Sequence, residues 1–439
     1  MNSQKLSFVA FICSGLFIVF AVGFMVRELK LFPYQLYVEA VKGYQKFRHQ
    51  QTGKLPSYYY RLNQPFPEVP ENADPPYPGL NLVTKVTTDD NLSAEIIDSQ
   101  GKVVHQWNID WFKMWPDAKH LSEKYIPKEK PGALIHGAVV MENGDLVFNF
   151  EDMGLVRIDL QGKVIWRLPY RTHHSVHLHD DGNLWVSGHK NRSETPWRFN
   201  NTIVEVSPDG KILREWTIAN ILRRNGYTGL LHQGMNVSKE IRDRTDILHL
   251  NDVEPFSLKL KEGFFTQGDV IVSLRNINTV FVFSTKTGKI KYISMGQFVR
   301  QHDPDFIDGD TFSVYDNNHN TDIRQKLLHS KITIVSAPQN TQEVYYEGTP
   351  PDKPFYTKRM GKHQWMPNGN LLITESESGR GFEVDKQGNM VWQYFNYIDD
   401  GIVGNVTEVT RLPIEYTNLF INAQAANPRA NAEEIDRSR

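Results

Sequence analysis

Residues 141–166 read MENGDLVFNFEDMGLVRIDLQGKVIW. Asn143-Gly144-Asp145 is a turn signal, and Leu146-Val147-Phe148 behind it is an apolar run of strand type. Gly162-Lys163 opens a second turn, followed by apolar residues and an aromatic, Trp166. Glycine supplies the positive φ that a two-residue hairpin turn requires. Both units recur. The first returns at Asp181-Gly182-Asn183, Gly268-Asp269, Asp308-Gly309-Asp310 and Asn368-Gly369-Asn370. The second returns at Gly101-Lys102 to Trp107, Gly210-Lys211 to Trp216, Gly288-Lys289 to Tyr292 and Gly388-Asn389 to Trp392. Two hairpins per unit, at a spacing of about 40 to 60 residues, make a four-stranded propeller blade.

Counting from Leu82 gives six blades, near 82–109, 134–170, 173–217, 247–296, 301–347 and 361–396. Glu408 to Tyr416 reads as one further strand that pairs with the first blade and closes the ring, removing open edges. The expected fold is all-β, a six-bladed β-propeller over 79–420 preceded by a single N-terminal transmembrane helix and followed by a disordered tail over 421–439. The aromatics that end each unit read as packing between strands, not as a substrate box.

The transmembrane expectation rests on Leu6 to Val26, twenty-one almost unbroken apolar residues between Lys5 and Arg27. That length crosses a hydrocarbon core of about 30 Å. Phe24, Met25 and Val26 are too large for a signal-cleavage site, and Ile12 before Cys13 does not make a lipoprotein box. An uncleaved anchor over 1–27 follows. Residues 28–78 then hold a juxtamembrane helix, with Leu36, Tyr37, Ala40, Val41, Tyr44 and Phe47 at helical spacing, and a Pro-rich segment from Pro56 to Pro78. That segment reads equally as an extended linker or as a strap on the first blade. Arg27, Lys30 and Lys42 outnumber Lys5, which alone would hold the body in the cytoplasm, but large domains translocate largely regardless of such counts.

The formal charge of −2, from 49 basic and 51 acidic residues, gives no footprint for nucleic acid. The single cysteine, Cys13, lies in the apolar run, so the body carries no disulfide.

Six of the fifteen histidines fall where an innermost blade strand should begin: His136, His173, His174, His249, His302 and His363. In a propeller such positions converge on the central channel. Three contexts stand out: Arg171-Thr-His-His-Ser175, His249-Leu-Asn-Asp252 and Arg300-Gln-His-Asp-Pro-Asp305, with Ser273-Leu-Arg-Asn276 between the last two. Transfer of a sulfuryl or phosphoryl group uses such a set. Neutral imidazole is a nucleophile that can hold the group covalently, guanidinium clamps its oxygens, and further imidazoles shuttle the proton. No phosphate-binding glycine loop is present, so a nucleotide donor is not expected. The run His173, His174, His177, His179 alternates faces on a strand and lacks a completing carboxylate or cysteine, so no metal and no other cofactor is expected. Asp316-Asn317-Asn318-His319 reads as a turn.

On these segments the body, roughly Leu82 to Tyr416, resembles the bacterial arylsulfate sulfotransferase family. The matching pieces are the His-His pair, the His-x-Asn segment, the Ser-x-Arg segment and the Gln-His segment followed by Tyr315-Asp316-Asn317-Asn318. The resemblance implies a periplasmic propeller, held here at the inner membrane by its single span, that passes sulfate from an aryl sulfate donor to a phenolic acceptor through a sulfated histidine. It implies His302 as nucleophile and Arg275 and His249 on the sulfuryl oxygens. His174 or His173 would complete the pocket, with Asn251 supporting His249 and His136 nearby. The chain departs from that family's pattern in its N-terminal segment and in lacking a disulfide. The reading from another class is a non-catalytic, membrane-anchored propeller that binds a glycan or protein partner, since fold alone does not decide function. The sequence leaves oligomeric state open.

Overall fold

The structure, a computed structural model, describes residues 14–15, 17–23, 25, 55–62, 65–190, 199–233, 246–319, 329–350 and 352–426. Contacts divide the chain into two units, 1–57 and 58–439. In the first unit the described part of the apolar run is helical, with Phe17, Ile18, Val19 and Phe20 exposed. Among the described residues no helix is long and apolar enough to cross a membrane. The rest of the expected span and the juxtamembrane helix lie outside the described residues.

The second unit is mostly β-sheet. Its described residues form six four-stranded antiparallel sheets and one three-stranded sheet. Five of the six are continuous in sequence, each beginning with its innermost strand: Ile135–Val140, Arg171–Leu178, Leu250–Pro255, His302–Phe306 and Lys362–Trp365. The first sheet instead takes its innermost strand, Val406–Arg411, from the far end of the chain, antiparallel to Asn81–Val86. Each inner strand touches the next around a ring, from Val406–Arg411 back to itself.

Alternation explains why the sheets stack. In Leu146–Phe150, the side chains of Leu146, Phe148 and Phe150 enter the cluster shared with the first sheet, and Val147 enters the cluster shared with the third. The sixth sheet repeats this, with Leu371 and Ile373 facing the fifth sheet and Leu372 the first. Six such clusters fill the six spaces between neighbouring sheets. Successive side chains on a strand point to opposite faces, so a sheet buried on both sides must be apolar at consecutive positions.

Four of the aromatics that end a repeat have a second task. Trp107 Nε1 donates to Asp159 O (3.0 Å), Trp166 Nε1 to Pro208 O (2.8 Å) and Trp392 Nε1 to Ser99 O (2.8 Å). Tyr292 Oη donates to Asn340 Oδ1 (3.0 Å). In each case an outer strand is tied to the turn of the next sheet, which buries a large ring while satisfying its polar atom.

One segment differs from the sequence expectation and another goes beyond it. The closing strand stops at Arg411, and Tyr416–Ala426 is a helix, so regular structure runs into the expected tail. Tyr416, Leu419 and buried Phe420 seat this helix on the cluster between the first two sheets. The Pro-rich segment is a strap that touches the first sheet, where Tyr59 Oη donates to Thr87 O (2.8 Å), and continues along the sixth. Tyr59–Arg61 pairs with Ile402–Gly404, Phe66 packs on Phe395, and Tyr77 N donates to Glu383 Oε1 (2.7 Å).

The inner strands share an irregularity. Pairing with the second strand slips past His136-Gly137, past His174-Ser175, past Asn251, past Asp303-Pro304 and past Thr407. These are β-bulges at one level of five of the six sheets, and a bulge re-aims side chains. At Gly137 a Cβ would lie 2.4 Å from His174 O and 2.7 Å from Val176 N, both backbone atoms that cannot swing away. Gly137→Ala is therefore expected to destabilise the protein by about 3 kcal/mol, seen as a lower denaturation midpoint. An unchanged midpoint would mean that the second and third inner strands part without cost.

Candidate active site

The bulges build the site. A small pocket is lined by His136, His174, Ser175, Asn251, Asp252, His302, Asp303, Met360, Gly361, Lys362 and Thr407. Apart from Gly137 and Pro304, every residue that the ladders skip is in that lining. Backbone strain accompanies it: φ is +56° at His174, +53° at His249, +62° at Arg300, +48° at Asp303 and +62° at Met360. Positive φ on a residue with a side chain costs of order 1–3 kcal/mol and persists where the surroundings dictate it, commonly at functional sites.

His302 is buried, with its ring fixed on both nitrogens. Asn317 Nδ2 donates to Met360 O (2.7 Å) and Thr357 O (3.1 Å), so its Oδ1 is left facing His302 Nδ1 at 2.6 Å. Nδ1 must then carry the hydrogen. Nε2 keeps its lone pair and accepts Met360 N–H at 3.2 Å. Burial, then the nearby Arg275 guanidinium, push the His302 ring well below the usual imidazole range. It is neutral at pH 7.

His174 stands 6.5 Å from His302 by ring centroids and is packed between His136 (4.1 Å) and His249 (4.9 Å). Burial and then His136 and His249 push it well down as well. His173 lies outside the pocket lining. Its ring packs on His189 at 4.1 Å and its Nδ1 meets His174 Nδ1 at 2.8 Å, so it backs His174. Burial, then His249, push His173 down to about 3. His136 Nδ1 is 3.3 Å from Glu151.

His249 sits beside the lining and is gripped by Asp246. Its backbone N–H donates to Asp246 Oδ1 (2.9 Å) and its Nδ1–H to Oδ2 (2.8 Å), leaving Nε2 free to act on a ligand. Burial opposes the charge on Asp246, but the bonds to His249 outweigh it and hold the carboxyl below its usual range. Asn251 does not touch His249 by hydrogen bond. Its Nδ2 donates to Gln301 O (2.8 Å), next to His302, and its Oδ1 is buried without a partner among the described residues.

Arg275 begins the short helix Arg275–Ile277 after the strand Asp269–Leu274, and its N–H donates to His249 O (3.0 Å). Its Nε is buried without a partner among the described residues. Burial, then Arg300 and Arg359, push its guanidinium down to about 10. Arg275 is half-buried just outside the pocket lining, with Arg300 and Arg359 as well as Asp246 and Glu377 acting on it, and its spare buried donor can receive an anion.

His363, the sixth histidine of the sequence reading, is buried in the sixth inner strand, bonded to Asp303 and away from the lining. Sequence reasoning quoted Asp303 and Asn317 only within matching segments, without a role, and passed over Asp246, Lys362 and Met360. Asn317 was read as part of a turn, while Asp246 carried a usable signal, a carboxylate three residues before a histidine.

A family model described as arylsulfotransferase (ASST) matches residues 137–397. No curated protein matches the sequence. Solved structures are similar at low identity, with TM-scores below 0.5. A protein of unknown function from Bacteroides caccae is 13% identical at TM-score 0.46, covering 72% of this chain and 93% of its own. A virginiamycin B lyase from Staphylococcus aureus is 10% identical at TM-score 0.37, covering 82% and 89%. The β-propeller domain of Myceliophteria thermophila Cps50 (Swd1) is 9% identical at TM-score 0.39, covering 75% and 90%.

Proposed function

We propose that this chain, which belongs to the arylsulfotransferase family, is a six-bladed propeller enzyme that moves a sulfuryl group from an aryl sulfate to a phenol through a sulfated His302. The observation that carries the reading is the pinned tautomer of His302, a buried neutral ring on the pocket lining whose Nε2 lone pair accepts Met360 N–H at 3.2 Å and must give up that long bond to attack.

In the first half-reaction Nε2 attacks sulfur, the N–S bond forms, and the S–O bond to the aryl oxygen breaks. The departing phenolate takes the Nε2 proton of a doubly protonated His249, whose Nδ1–H stays on Asp246 and which is left neutral, ready to take the next proton. In the second, an acceptor phenol gives its proton back to His249 and its oxygen attacks sulfur. The N–S bond breaks and His302 returns with its lone pair. Arg275 binds the sulfuryl oxygens as charge grows on them. His174 and Asn251 line the same space. Splitting the transfer in this way replaces one hard step with two easier ones. The apolar run of residues 6–26 supports a membrane anchor and, with the family, a periplasmic body.

The test is incubation of the full chain with p-nitrophenyl sulfate, with and without excess phenol. Phenol-dependent release of p-nitrophenol is expected, and a chain that releases none and takes up no sulfuryl group is a binding protein. The pH profile adds a second check. An ordinary imidazole nucleophile loses activity as pH falls through about 6.5. The His302 ring is pushed well below that range, so the burst of p-nitrophenol from the first half-reaction should stay level as pH falls through 6.5 and drop only further down. A burst that halves near 6.5 would assign the nucleophile to a solvated ring.

A further inference from the structure

The inner strands of the fourth, fifth and sixth sheets carry a polar cluster that sulfuryl transfer leaves unused. Asp303, Asp305 and His363 each present one ligand atom, all within 4.8 Å of one another. Asp303 and His363 are 4% and 5% exposed. His363 Nδ1–H donates to Asp303 Oδ2 (3.0 Å), and its Nε2, 3.9 Å from Asp305 Oδ2, offers a lone pair in place of the proton that the surrounding carboxylates favour there. Ser313 Oγ, which accepts Trp365 Nε1–H (2.9 Å), lies 2.6 Å from that Nε2 and 3.5 Å from Asp305 O. A ligand on Nε2 would therefore release the Ser313 hydroxyl to a second acceptor.

Two further buried carboxylates stand near the cluster, Glu254 hydrogen-bonded to Asp305 and Asp252 on the neighbouring inner strand, where it also lines the pocket. Asp252 is 1% exposed, and its Oδ2 has no hydrogen-bond partner among the described residues, while Oδ1 meets His177 Nε2 at 3.2 Å. The charge of Asp252 acts on His363, on Lys362 and on Glu254. Glu254 hydrogen-bonds Asp305 and has a bare buried Oε2 of its own. Against these four carboxylates stands Lys362, whose Nζ is 3.5 Å from Asp303 Oδ1. Buried carboxylates in contact need a proton or a cation among them.

We propose that this cluster is a divalent-cation site with Asp303, Asp305 and His363 as ligands and the bare oxygens of Asp252 and Glu254 turned toward the ion. Two carboxylates with one imidazole suit Mn²⁺ or Zn²⁺ better than an all-oxygen cation. The site shares its strand with His302, so its charge offsets the carboxylates that face the pocket from Asp252 and Asp303. It stands independently of the sulfuryl-transfer reading.

The test uses the full chain, stripped with a chelator and desalted, then titrated with Mn²⁺ and with Zn²⁺ while bound metal and Tm are measured. About one ion per chain is expected, with a rise in Tm, because metal that binds only the folded state stabilises it. Asp305→Asn and His363→Gln should each weaken binding by at least about 10-fold. Asp252→Asn keeps the question open to measurement should either of those fail to fold, and it too should weaken binding. Two results would overturn the site: no uptake of either ion at about 1 mM, or uptake that the folded variants leave unchanged, which would mark an adventitious ion.

Discussion

His302→Asn is expected to lower kcat/KM for p-nitrophenyl sulfate by about 10⁴-fold or more, since a covalent route disappears with its nucleophile. Asparagine can place an amide N–H where Nδ1–H meets Asn317 Oδ1 and gives up only the long bond from Met360 N–H, so the fold should survive. It has no nitrogen lone pair to offer, because the amide nitrogen is delocalised. Donor exposure without acceptor should add about 80 Da to the wild-type chain, the mass of one SO₃ on the nucleophile, and nothing to the variant. A variant as active as wild type would remove His302 from the chemistry. A wild type that neither turns over nor gains mass would leave a propeller that binds and does not transfer.

The ring of sheets was legible in the sequence because its two signals are local. A glycine turn followed by an apolar run specifies a hairpin, and an aromatic at the end of the second strand specifies a tie to the next sheet, as Trp107, Trp166 and Trp392 show. The histidines were legible as a group because inner strands converge. Which of them reach the pocket was not. His173 and His174 are adjacent, and a regular strand would send one each way, but either could face inward. The bulge at His174-Ser175 decides it, turning both residues into the lining and leaving His173 against His189. A bulge is set by how two strands meet across the ladder, and nothing in the local sequence marks it. The same reason hid Asp303 and Thr407. Asn317 was hidden differently: its run of Asp and Asn makes a credible turn, and only the carbonyls of Thr357 and Met360 reveal that its amide is aimed.

Arg275→Ala is expected to cost about 10²- to 10³-fold in kcat, the usual loss when one preorganised group on a developing oxyanion is removed. Arg275→Lys should recover only part of it, since a lysine cannot present the planar fork that matches two oxygens. A structural role for the guanidinium would also lower activity, so the pH profile is the sharper reading. The charge of Arg275 is, after burial, the largest influence holding the His302 ring down. Removing it should let that ring bind a proton more readily, so the acid limb of the p-nitrophenol burst moves to higher pH in Arg275→Ala and stays near its wild-type position in Arg275→Lys. A loss of rate with an unmoved limb in both variants would mean that Arg275 supports the turn after Asp269–Leu274 and does not face the reacting group. A moved limb together with the lost rate ties one side chain to both jobs, keeping the nucleophile unprotonated and receiving the charge that it creates.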